Sequence, residues 1–161
     1  MKSKHDSASD LRFWAESIKT ALGIVLAVDE RGTFALRTKG ANMVGIEEAP
    51  NVLALILTGQ IGVADNTVTV RSLKALLALN MASDLSGTAC VGMALETEAL
   101  LLRLVWAPDE EAWHEDTFIA VLAAFSAHVD SLAASLRNGE LERLIHNTSN
   151  QPPIPDSAVL G

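Results

Sequence analysis

Residues 91–106 read VGMALETEALLLRLVW, two apolar runs joined at Glu96-Thr97-Glu98. Met93 and Leu95 lead into the polar triplet, and Leu100, Leu102 and Leu104 lead out of it. That period of two predicts a β-hairpin. Upstream, VRSLKALLALN places Leu73, Leu76, Leu77 and Asn80 at helical spacing. Downstream, Pro108-Asp109 ends the hairpin and opens the longest helix. Asp109, Glu110 and Glu111 stand at its positive N-terminal end. Phe118, Val121, Leu122, Phe125, Val129, Leu132 and Leu136 then keep one stripe for about five turns, and Gly139 is the predicted stop.

The N-terminal part begins with a helix. Ser7 and Asp10 have capping-box spacing, with Asp in place of the usual Glu. Leu11, Trp14, Ala15, Ile18 and Leu22 form its apolar stripe, and Gly23 supplies a C-terminal stop. The period then changes. IVLAV and TFALRT flank Asp29-Glu30-Arg31-Gly32, a hairpin turn whose Gly accommodates a positive φ. ANMVGIEEAP reads as a long irregular connection. VLALIL, Val52 to Leu57, follows as a third strand, apolar on both faces and so expected to be covered on both. The predicted order is α-β-β-β-α-β-β-α: an α+β fold with three helices and a mostly antiparallel five-stranded sheet. No internal repeat stands out.

A chain of 161 residues suffices for one domain with its own core. The domain is predicted over residues 1–137. Residues 138–161 hold three of the five prolines and form a polar tail, expected to be mobile after a short helical turn around Leu141 to Ile145. Net charge is −8 and the sequence pI is near 4.9, without a basic cluster, which argues against nucleic acid or an anionic membrane as partner. MKSKHDSASD lacks the apolar stretch of a secretory signal, and no apolar run reaches the roughly 18 residues of a membrane span. Cys90, the sole cysteine, lies in an apolar run and reads as a buried thiol in a reducing, cytoplasmic setting.

Catalytic motifs are absent. His5, His114, His128 and His146 are dispersed, and HED at His114 has no second His four residues on, so no metal site is read. His114 is taken as a helix-end or packing residue. Cys90 has no cationic neighbour in sequence to activate it. LSGTAC around Ser86 resembles a turn rather than a nucleophile elbow. Gly59-Gln60-Ile61-Gly62 is too short for a phosphate cradle and lacks the following Lys-Ser/Thr. Glu110, Glu111, Glu115 and Asp116 read as a solvated cluster at a helix start. Phe13 and Trp113 fall off the apolar stripes of their helices. Together with a two-faced sheet, they point to a surface that covers itself with a second copy or a client chain.

SLKALLALN (Ser72 to Asn80), a Gly-containing turn, VGMALETEALLLRLVW and the acidic long helix resemble the class I type III secretion chaperones of Gram-negative bacteria. In that family a middle helix ending in a Leu-Leu-x-Leu-Asn-like segment precedes a strand, a short Glu-containing turn and a second strand, with the C-terminal helix last. The likeness covers roughly residues 8 to 137. It implies a cytoplasmic, non-enzymatic homodimer that uses no cofactor, binds the N-terminal region of a secreted effector and holds it extended for export. On this sequence the middle helix (Leu73, Leu76, Leu77) and the strand from Ala89 to Leu95, with Val91 and Met93, resemble the dimer-forming part. The first helix and first three strands resemble the effector-binding face, with Phe13, Phe34, Leu36, Leu53 and Leu55 as candidate contacts. An extended client can add a strand to a sheet edge and place alternate side chains in pockets. The alternatives are a related-fold module that binds a folded partner, and a small hydrolase or metal enzyme with unrecognised spacing.

Overall fold

The computed structural model describes residues 7–30, 33–81, 88–141 and 143. Helix α1 spans Ser7–Leu22, and strands β1 (Ala27–Val28), β2 (Phe34–Arg37), β3 (Met43–Glu48) and β4 (Leu55–Val63) follow. Helix α2 is Val70–Leu79, the hairpin strands are β5 (Cys90–Ala94) and β6 (Ala99–Trp106), and α3 is Glu115–Arg137. The six strands form one antiparallel sheet in the order β1-β2-β3-β4-β6-β5. The opening stretch is a hairpin, as predicted. Its second strand is inserted between β4 and β5 and is thus interior to the sheet, while its first forms an edge.

Residues paired across strands share a face, and the registers sort the sheet into rows. One row runs Leu36, Val44, Gly59, Leu102, Val91, and its neighbour runs Phe34, Ile46, Leu57, Leu104. Apart from the half-buried Leu104, every side chain in these rows is buried. They meet the stripes of α1 (Leu11, Trp14, Ile18) and α3 (Phe118, Leu122, Phe125, Val129, Leu132). Gly59 lets the helix approach: a Cβ there would collide with Val129. The intervening row, Ala35, Gly45, Thr58, Arg103, Cys90, lies on the opposite face, which α1 and α3 leave uncovered.

All three tryptophans join Phe118 where α1, β6 and α3 converge. Trp106 and Trp113 stack at 4.8 Å, and Trp14 lies 5.6 Å from Phe118. The Trp113 indole N–H donates to Asp10 Oδ2 at 2.8 Å. Glu48, from β3, accepts the Ala8 N–H of the first turn of α1 at 2.6 Å, so a carboxylate 40 residues away caps this helix. Gly23 ends α1 with φ 69°, and Gly139 follows α3 with φ 65°, as expected of helix-terminating glycines.

Several expectations are corrected. The sheet has six strands rather than five, because part of ANMVGIEEAP is β3. Val44 and Ile46 alternate inward there, but Gly45 between them and Glu47 and Glu48 after them weaken the strand pattern. The third predicted strand starts later and runs longer. Val52 is exposed ahead of it, and β4 continues through the Gly59–Gly62 segment with an irregularity between Gln60 and Gly62. It is buried chiefly on one face. Cys90 is exposed rather than buried, because Val91 takes the core side of β5. Trp113 is buried, since Glu110–Ala112 form a separate 3-10 turn that swings the ring inward before α3 begins. By length and mean hydropathy α3 is apolar enough to cross a membrane, although it holds no unbroken apolar run of that length, and its stripe packs on the sheet. Leu141 is fully buried, so the core takes a residue from beyond position 137. Gly32, Ser86 and nearly all of the predicted tail lie outside the described residues.

Candidate interaction surfaces

The predicted client contacts divide by environment. Phe13 is 80% exposed, on the face of α1 away from the sheet. Leu53 is half-buried before β4. Phe34, Leu36 and Leu55 are buried in the chain's own core, so in the free subunit their side chains are spent on α1 and α3. The predicted dimer residues divide likewise. Leu76 and Val91 are core residues, Leu73 is partly buried against them, and Leu77 and Met93 are exposed.

Helix α2 explains that division, because it is apolar on two opposite faces. Ser72, Ala75, Leu76 and Leu79 are buried inside the subunit. Val70 and Leu77, with Met81 in the turn just after the helix, are spaced by seven and four residues and form a second stripe with exposures of 68%, 62% and 89%. Leu73 sits at its margin. The helix is fixed at both ends. The Thr69 hydroxyl accepts the Ser72 N–H at 3.1 Å. At the other end the Asn80 side chain donates to Val91 O at 2.9 Å and accepts Val91 N–H at 2.6 Å. Asn80 thereby behaves as a neighbouring strand and occupies the outer edge of β5 at Val91.

The other sheet edge is more open. β1 has two residues and pairs only with Phe34 and Ala35 of β2. The Thr38 N–H donates to Asn42 O at 2.9 Å, toward β3. By strand alternation Ala35 and Arg37 present their main-chain groups the other way. Ala35 lies opposite Ala27, whereas Arg37 lies beyond the end of β1.

The turn after Arg37 is tied to α3. The carboxylate of Asp130 accepts the Thr38 hydroxyl, the Gly40 N–H at 2.8 Å and the Asn42 side-chain amide at 2.6 Å. Burial pushes this carboxyl's pKa up, but the bonds from Thr38, Asn42 and Gly40 and the nearby Arg137 cation outweigh it, and the net shift is downward. A Cβ at Gly40 would lie 2.6 Å from Asp130 Oδ1, so a side chain there would displace the carboxylate. Sequence reasoning missed Val70 and Met81, whose spacing with Leu77 was there to read. It also missed Asp130, whose partners lie about 90 residues away.

No described group of three or more His, Cys, Asp and Glu is placed to hold a metal ion. His114 is the residue before α3, its ring 3.1 Å from the Thr117 hydroxyl. Among the described residues the arrangement offers edges and apolar faces, the means of binding another chain.

No family model matches the sequence, and no curated protein matches it. Solved structures do match. A chain in the structure of the HopA1–SchA chaperone–effector complex aligns with a TM-score of 0.60 at 14% identity, over 84% of this chain and 99% of that one. A chain in the crystal structure of the Yersinia pestis type III secretion chaperone SycH with a stable fragment of YscM2 aligns with a TM-score of 0.53 at 18% identity, over 79% and 99%. The α+β architecture of three helices on an antiparallel sheet is the fold found in these type III secretion chaperone complexes.

Proposed function

We propose that this protein is a non-enzymatic, homodimeric chaperone of the bacterial cytoplasm. It binds the N-terminal region of a type III secreted effector as an extended segment and keeps it soluble and export-competent. The observation that carries this reading is the contrast between the sheet edges: Asn80 occupies β5 at Val91, while β2 is open at Arg37. An extended chain gains main-chain hydrogen bonds at an open edge without needing a preformed pocket. Phe13 and Leu53 are the sequence-predicted contacts whose side chains are not spent on the chain's own core. Phe34, Leu36 and Leu55 act indirectly, by holding β2 and β4 in place.

The second stripe of α2 supports self-association. Val70, Leu77 and Met81, with Met93 of β5, are the apolar surface a second copy would cover, whereas Leu76 and Val91 back that surface from inside. The fold shared with structures of chaperone–effector complexes agrees with this reading. Co-expression with the N-terminal segment of the secreted protein encoded next to this chain's gene tests it. The expected result is a soluble complex that co-elutes from a sizing column. Failure of that segment to bind, with the chain monomeric, would overturn the proposal.

A further inference from the structure

The open part of β2 and the part held by Asp130 adjoin each other. Arg37 is the last residue of β2 and the one whose main chain faces away from β3 beyond β1. Thr38, the next residue, is buried and donates its hydroxyl to Asp130. Gly40 and Asn42, across the turn, donate to the same carboxylate. The Asn42 N–H donates to Thr38 Oγ1 at 3.0 Å, and the Ala41 N–H, from a residue at φ 63°, donates to Thr38 O at 3.0 Å. Every turn residue from Thr38 to Asn42 except Lys39 is thus bonded to the carboxylate or to Thr38, which is itself bonded to the carboxylate. β2 is held along its length by β3 and by the buried Phe34 and Leu36, and past the end of β1 the Thr38–Asn42 turn is what anchors its open end at Arg37.

We infer that Asp130 is a positioning residue for client capture: from α3 it holds the Thr38–Asn42 turn and thereby presents the Arg37 main chain at a fixed height and angle for an incoming strand. This rests on the edge-addition reading above and adds a residue that prepares the edge for the client. Asp130 touches no client atom. It lowers the ordering cost of binding, because a strand added to a pre-set edge need not first freeze that edge. Gly40 belongs to the same device, since a side chain there would push the carboxylate off the turn.

The test couples Asp130 to the main-chain bonds it is meant to serve. The probe is a synthetic peptide of the N-terminal segment of the adjacent gene's secreted product, with a second version N-methylated along its strand residues. The proteins are the wild-type full chain, Asp130→Asn and the milder Asn42→Ala, each first shown folded by circular dichroism. Asp130→Asn is expected to weaken the unmodified peptide about tenfold and Asn42→Ala about threefold, magnitudes ordinary for lost hydrogen bonds. In wild type, N-methylation should cost more binding than it does in Asp130→Asn, because the variant has already lost the ordered edge. A merely structural role would lower the melting temperature and leave the cost of N-methylation unchanged. If the peptide binds wild type and both variants alike, or N-methylation costs the same in all three, the positioning role is wrong while client binding stands. If the peptide does not bind wild type at all, the edge-addition reading falls and this inference with it.

Discussion

Gly59 shows how much one residue type can decide. It sits in the central buried row, and the Val129 side chain occupies the place a Cβ would need. Gly59→Ala therefore overpacks the α3–sheet contact and is expected to cost about 1–3 kcal/mol in chemical denaturation. Trp113→Phe keeps most of the aromatic packing but leaves Asp10 without the indole donor, and should cost about 1 kcal/mol by the same measurement. His128 on α3 is half-buried, and burial lowers its pKa below the ordinary value. The unfolded chain then binds a proton more readily than the folded one. Its contribution is present above the unfolded pKa of about 6.5 and fades as pH falls through the window below it. Urea midpoints should decline between pH 7 and pH 5, and His128→Gln should flatten that decline.

At the scale of elements, α2 makes two substitutions on adjacent residues come apart. Leu76 is buried inside the subunit and Leu77 is 62% exposed. Leu76→Asp places a carboxylate in the core and is expected to unfold the chain or cost several kcal/mol, on the order of 3 or more. Leu77→Asp should leave the circular dichroism spectrum intact and convert a dimer to a monomer by light scattering. A Leu77→Asp variant that stays dimeric would remove α2 from the interface. The sequence made α2, the hairpin and α3 legible because their apolar periods are long and uninterrupted. β3 escaped because MVGIEE offers two inward side chains separated by Gly, with Glu47 and Glu48 exposed at its end. Strand β4 was misplaced for a related reason. The apolar residues Val52 and Leu53 belong to the approach, while the glycines that read as a loop lie inside the strand.

Across the whole molecule, the core was readable and the surfaces were only partly so. Stripes and alternation identify which residues turn inward, and most of those predicted do. Whether an apolar residue is left over depends on which faces the tertiary structure covers, and this separates Phe13 and Leu77 from Phe34, Leu36 and Leu76. Asp130 and Glu48 act through hydrogen bonds between elements across about 90 and 40 residues of sequence, and no local pattern announces them; Asn80 stood out in sequence only as the end of the middle-helix segment, without its bonds to Val91. On the proposed function, the open edge at β2 takes up an extended client. Hydrogen–deuterium exchange of the full chain, alone and with the export segment of its neighbouring secreted protein, tests it most directly. Protection is expected to be gained at the Arg37 amide and the flanking β2 residues on binding, with the β5 amide of Val91 unchanged. Protection appearing elsewhere while Arg37 exchanges as before would contradict it.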